Sequence, residues 1–146
     1  EDYAGSEAML DDINLINTAK EVVDEMFGEG KYFHDDFSAA STDMGDVSVL
    51  VPAIHAYACG AIGTTHGKDY FIKDPVNACV DSAKFQVELL RKLLSDNASK
   101  AKYIIENYKS PFNSIDEYLE HKHSLNMDKQ VVKYNEDGTI TLDYKG

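Results

Sequence analysis

At 146 residues the chain has the length of a single compact domain, and 43% hydrophobic beside 27% charged residues is the composition of a folded globular protein, which excludes disordered and fibrous classes. Twenty-six acidic against fourteen basic residues leave a formal charge of -12, so phosphate backbones and anionic lipid are repelled and neither nucleic acid nor a membrane surface is an expected partner. No apolar run approaches the roughly 18 residues that span a bilayer, and the chain opens without a basic region leading into an apolar one, so a cytoplasmic protein is expected.

From residue 10 to residue 27 the apolar side chains Ile13, Ile16, Ala19, Val23 and Phe27 recur every three or four positions, which predicts a helix burying that stripe. Gly28 and Gly30 in "GEG" end it, because glycine takes the left-handed geometry of helix termini. "KYFHDDFSAASTDMGD" shows no sustained period and reads as a short strand or an irregular lead into a loop. Pro52 then splits "VSVLVPAIHAYACGAIG", so a short helix or turn is expected before it and a strand after it, over residues 53–62. Being apolar on both faces, that strand is expected inside a sheet covered by helices on both sides. Cys59 and Cys79 have similarly apolar neighbours, and reduced, buried thiols are expected there.

After the loop "GTTHGKDYFIK", Asp74 can accept hydrogen bonds from free amides while Pro75 sets the first helical torsion, a strong helix start. Val76, Val80, Ala83, Val87, Leu90 and Leu94 form the stripe of that helix, and a second helix over about residues 98–108 follows "SDN". "KSPFN" stops it. Ser114 stands three residues before Glu117, the capping-box spacing of a further short helix. In the tail, Ile140, Leu142 and Tyr144 alternate with Thr139, Thr141 and Asp143 after an Asp-Gly turn, which signals a hairpin. The expectation is one helix-rich α/β domain with a C-terminal β-hairpin.

His66 is the first candidate for chemistry. A neutral imidazole is a favoured ligand of divalent ions, and the loop at the end of a buried strand is where α/β proteins place working residues. Gly63, Thr64, Thr65 and Gly67 leave room for an ion or substrate, and the threonine hydroxyls can orient either. One histidine makes no metal site, since zinc needs three or four ligands. Asp43 and Asp46, in "STDMGDVS", are spaced to share one side of a helical turn that Ser41 or Thr42 can cap; paired carboxylates serve acid/base or metal chemistry, and the same residue types also begin any ordinary helix. His55 precedes the small-residue loop and reads either as a satisfied core histidine or as part of a site. His121 and His123 follow a charged helix and are expected to face solvent, while His34 has no interpretable spacing. Tyr103 and Tyr108 belong to a helical stripe and read as packing residues. No phosphate loop, zinc-finger spacing, nucleophile elbow or HExxH helix occurs.

Taken together, "STDMGDVSVLVPAIHAYACGAIGTTHGKDYFIKDP", the long helix and "YKSPFNSIDEYL" resemble the C-terminal part of the catalytic domain of dinuclear metal amidohydrolases, relatives of aminoacylases, auxin-conjugate hydrolases and the p-aminobenzoyl-glutamate hydrolase subunit. The resemblance covers residues 14–119 within a family-like stretch of residues 10–119, and leaves 120–146 as a tail with the hairpin. It implies a fragment of a mixed-sheet metallohydrolase domain in which His66 closes the site as a metal ligand, while Asp43, Asp46, His55 and Thr65 face the substrate. The implied cofactor is zinc or manganese, and the implied substrate an N-acyl amino acid or small peptide-like amide. This chain has no Glu-Glu pair and matches neither the family's early strands, which carry a His-x-Asp ligand motif, nor its inserted lid domain. The resemblance therefore implies a segment inactive alone that needs the remainder of the catalytic domain as partner, and whose uncovered apolar surface favours a homo-oligomer. The rival expectation is a non-catalytic binding or assembly module that uses the same fold segment.

Overall fold

The computed structural model describes residues 3–34, 41–127 and 131–142. It is helix-rich, 48% helical, with two small antiparallel sheets, so helices carry the packing. Backbone contacts divide the chain into two units, residues 7–111, and residues 1–6 with 112–146.

In the larger unit, α1 (Ile13–Phe27) starts where the Asp12 carboxylate accepts the Leu15 amide at 2.8 Å. It stops at Gly28, whose φ is 89°. Ile16 and Ala19 are buried as the periodicity predicts, but the buried stripe is rotated: Val22 is 1% exposed, whereas Ile13 and Phe27 are 61% and 41% exposed. The face that turns inward is the one that meets α3 (Ser82–Asn107). Around it Glu21 accepts from both Lys92 and Lys100, at 3.1 and 2.7 Å, and Lys92 also pairs with Glu25. Burial pulls the Lys92 ammonium down, but its bonds to Glu25 and Glu21 outweigh that and hold it above the ordinary lysine value.

The short helix α2 (Met44–Ser48) precedes Pro52 as expected. The buried strand expected over residues 53–62 is absent. Ala53 makes a single parallel bridge to Asp11, residues 55–59 are exposed, and only β1 (Ala61–Ile62) pairs, antiparallel to β2 (Phe71–Ile72). An apolar run becomes a sheet interior only where strands on both sides take up its N–H and C=O groups. Here Asp11 and β2 meet only its two ends. Cys59 and Cys79 are free thiols, as expected, but both are exposed because the surfaces that carry them are uncovered.

Asp74 caps the next helix: its Oδ1 accepts the Val76 and Asn77 amides at 3.1 Å each, and Pro75 is the first helical residue. A π-helical turn, Val76–Asp81, leads into α3, whose path leaves helical geometry at residues 95–98. The break falls at "SDN", where the sequence separates two helices.

In the smaller unit, α4 (Ile115–Ser124) is capped at both sequence-predicted positions. Ser114 Oγ accepts the Glu117 amide at 3.1 Å, and the Glu117 carboxylate reaches back to the Asn113 amide at 2.7 Å. Phe112 meets Tyr118 edge-on at 5.4 Å between ring centres, and Tyr118 is buried. The tail forms the expected hairpin from β3 (Val132–Tyr134) and β4 (Ile140–Leu142), in register Lys133 with Thr141. Gly138 supplies the positive φ of its turn, and Asp143 and Tyr144 lie outside the described residues.

Candidate functional site

The loop between β1 and β2 is a run of tight turns. The Gly67 amide donates to the Thr64 carbonyl at 2.7 Å, and the Tyr70 amide to the Gly67 carbonyl at 3.2 Å. Asp69 Oδ2 braces the loop by accepting from the Thr64 amide at 3.2 Å and the Thr64 hydroxyl at 3.3 Å. At the base, the amides of Lys73 and Asp74 both donate to the Gly60 carbonyl at 2.9 Å. His66 occupies the third position of the first turn with φ 63°, a left-handed conformation that turns ordinarily give to glycine or asparagine. A side chain held there costs about 1–3 kcal/mol, which the surrounding bonds must supply. His66 and Thr65 are both exposed. The imidazole is therefore presented outward from a braced loop, with no burial to account for its presence. An open groove beside the hairpin is lined by Gly60, Ala61, Ile62, Lys73, Asp74 and Pro75, and His66 is not among its walls.

Asp43 and Asp46 separate in role. Asp43 is at the start of α2, where its side chain makes no capping bond; the Met44 amide donates instead to Thr42 Oγ1 at 3.3 Å. Asp46 Oδ1 accepts the Glu7 amide at 3.0 Å, and two residues on, Ser48 Oγ accepts the Leu10 amide at 2.8 Å while donating to the Gly45 carbonyl at 2.8 Å. These two acceptors strap residues 7–10 onto α2. Gly45 allows the approach, since a Cβ there would lie 1.8 Å from the Glu7 carbonyl oxygen. Tyr108 donates its hydroxyl proton to the Ser48 carbonyl, and Ser110 Oγ donates to the Val49 carbonyl at 2.6 Å, so the far side of α2 is held as well. Burial, then the nearby charge of Asp12, pushes the Tyr108 hydroxyl above its ordinary value, which keeps it a proton donor.

His55 is exposed, with its Nδ1 at 3.5 Å from the Tyr57 hydroxyl and the two rings 4.8 Å apart. It stands on the irregular stretch that replaces the expected strand. The structure thus places Thr65 and His66 on one loop and gives Asp46 a bond to backbone. Among the described residues, no group of three or more histidine, cysteine, aspartate or glutamate side chains could hold a metal ion. The residues that position this region and that sequence reasoning passed over are Asp69 and Ser48. Ser48 carried a signal, because a lone hydroxyl inside "DVSVLV" needs a partner once buried. Among the same residues no helix is long and apolar enough to cross a membrane.

No protein-family model, curated protein or solved structure matches the chain.

Proposed function

We propose that this chain is part of the catalytic domain of a cytoplasmic, metal-dependent amidohydrolase or peptidase acting on N-acyl amino acids or related amides. On this reading it supplies one imidazole donor, His66, and part of the pocket wall, and is inactive alone. The observation that carries the proposal is the outward presentation of His66 on a loop braced by Asp69, in a backbone conformation that costs energy without serving packing. Among the described residues no set fits a complete zinc or manganese centre, so on this reading other donors come from the remainder of the domain, and no hydrolytic step is assigned to these residues. On the same reading Asp43, Asp46, His55 and Thr65 face the substrate, with Asp46 Oδ1 also accepting the Glu7 amide.

The test is a graft. Residues 41–119 are placed into a family enzyme in place of its corresponding segment, and turnover of an N-acyl amino acid is measured with and without His66→Ala. Activity that falls at least a hundredfold in the variant is expected. A grafted enzyme that works equally well without the imidazole defeats the proposal, as does metal-dependent turnover by the isolated chain.

The second reading, a non-catalytic assembly module, is favoured by a different observation: the long uncovered apolar face of the helix that follows Pro75. Retention of His66-independent binding by the whole chain, with an inactive graft, selects it.

A further inference from the structure

Halfway along α3 the backbone leaves the helix. Ser95 is extended at φ -61° and ψ 163°, and Asp96, Asn97 and Ala98 take left-handed φ values of 49°, 57° and 58°. That region costs an L-residue roughly 1–2 kcal/mol. Aspartate and asparagine tolerate it, whereas alanine is the best of helix formers and belongs there least. The apolar pattern ignores the break. Val87, Leu90 and Leu94 before it, and Ala98, Ala101 and Ile105 after it, continue one stripe at steps of three and four residues, as in an uninterrupted helix.

That stripe is bare, with Val87, Leu90, Leu94 and Ile105 54%, 56%, 62% and 66% exposed. Four large apolar side chains left bare along one helix face mark a protein–protein contact surface.

We propose that a second copy of this chain covers the stripe, through an exchange in which residues 95–98 straighten into helix and the segment beyond them packs on the partner's α1 and α2. Every contact this segment makes in the closed chain is available in the partner. Lys100 finds the partner subunit's Glu21, Tyr108 finds the carbonyl of the partner subunit's Ser48, and Ile104 re-enters an equivalent core. The exchange therefore leaves packing unchanged, releases three left-handed residues in each chain, and produces two continuous helices whose apolar stripes can lie against each other. This inference does not depend on the amidohydrolase reading, and its test involves no metal or activity.

The experiment mixes nitrogen-15-labelled and unlabelled full-length chains, loosens them in mild urea, returns them to buffer, isolates the dimer by sedimentation, and applies a zero-length carbodiimide cross-linker. Cross-linked Glu21–Lys100 peptides carrying one label from each chain are expected, while Glu21–Lys92 peptides, which lie on the same side of the hinge, stay within one label. Two hinge variants give an independent reading. Ala98→Gly, which suits the closed turn, weakens dimerisation at least tenfold, and Asn97→Ala, which suits the straight helix, strengthens it at least tenfold. A dimer whose Glu21–Lys100 peptides never mix labels overturns the proposal, as does a chain that stays monomeric with Asn97→Ala at the highest concentration it reaches in solution. The isotope readout uses the unaltered sequence, so a variant that misfolds leaves it intact.

Discussion

Residues 42–53 and residues 55–94 lie in the same unit and are similarly rich in apolar side chains, yet they end in opposite environments. In the first stretch Ser48 is fully buried, Val49 and Ala53 nearly so, and the polar groups around them are paired with the strap at residues 7–12 or with Tyr108 and Ser110. In the second, Tyr57, Phe71, Ile72, Val76, Leu90 and Leu94 are all more than half exposed. Apolar content does not separate the two. The difference is whether each buried backbone group has a partner within the same unit, because burial without one costs more than the apolar area returns.

The contrast can be broken first at its buried end. Val49→Ala removes a side chain that is 6% exposed and should cost about 2–3 kcal/mol in urea unfolding. Leu90→Ala, measured at a dilution where the chain is monomeric, should cost about 0.5 kcal/mol or less. Equal losses would mean that the two stretches are packed alike. Next in size is Gly45→Ala, which drives a Cβ against the Glu7 carbonyl and should cost about 1–3 kcal/mol, with faster hydrogen exchange of the Glu7 amide than in the unaltered chain as a second readout. At the exposed hairpin the sign should reverse: His66→Gly relieves the left-handed backbone and should raise stability by up to about 1 kcal/mol. The smallest effect concerns pH. The hydrogen bond from Lys100 holds the Glu21 carboxyl below its ordinary value of 4.5; burial opposes it, and a weaker hydrogen bond from Lys92 adds to the lowering. Its contribution is complete above about pH 4.5 and is lost as the pH falls through the lowered value; with Glu21 49% exposed it should amount to less than about 1 kcal/mol. Glu21→Gln should flatten that part of the stability curve.

Local chemistry was readable wherever it decided structure by itself. The glycines after Phe27, the Asp74-Pro75 start, the Ser114 cap, the interruption at "SDN" and the Asp-Gly hairpin each act within a few residues, and each appears as expected. The rotation of the α1 stripe was not readable, because Ile13 and Val22 fit the period equally and only the position of α3 chooses between them. Nor was the fate of residues 53–62, since an apolar run looks the same whether strands flank it or solvent does. At the candidate site, the loop that carries His66 was legible from its glycines and threonines, whereas the use of Asp46 and Ser48 as acceptors depends on amides 39 and 38 residues away.

That strap has a consequence for how the chain folds. A helix of five residues has too few internal bonds to offset its own nucleation, so α2 cannot precede the arrival of residues 7–10; both must organise in one step, after the chain has closed a loop spanning α1. The corner is thus a long-range contact that offers no local structure on either side to build from, and closing it costs the entropy of the loop between them.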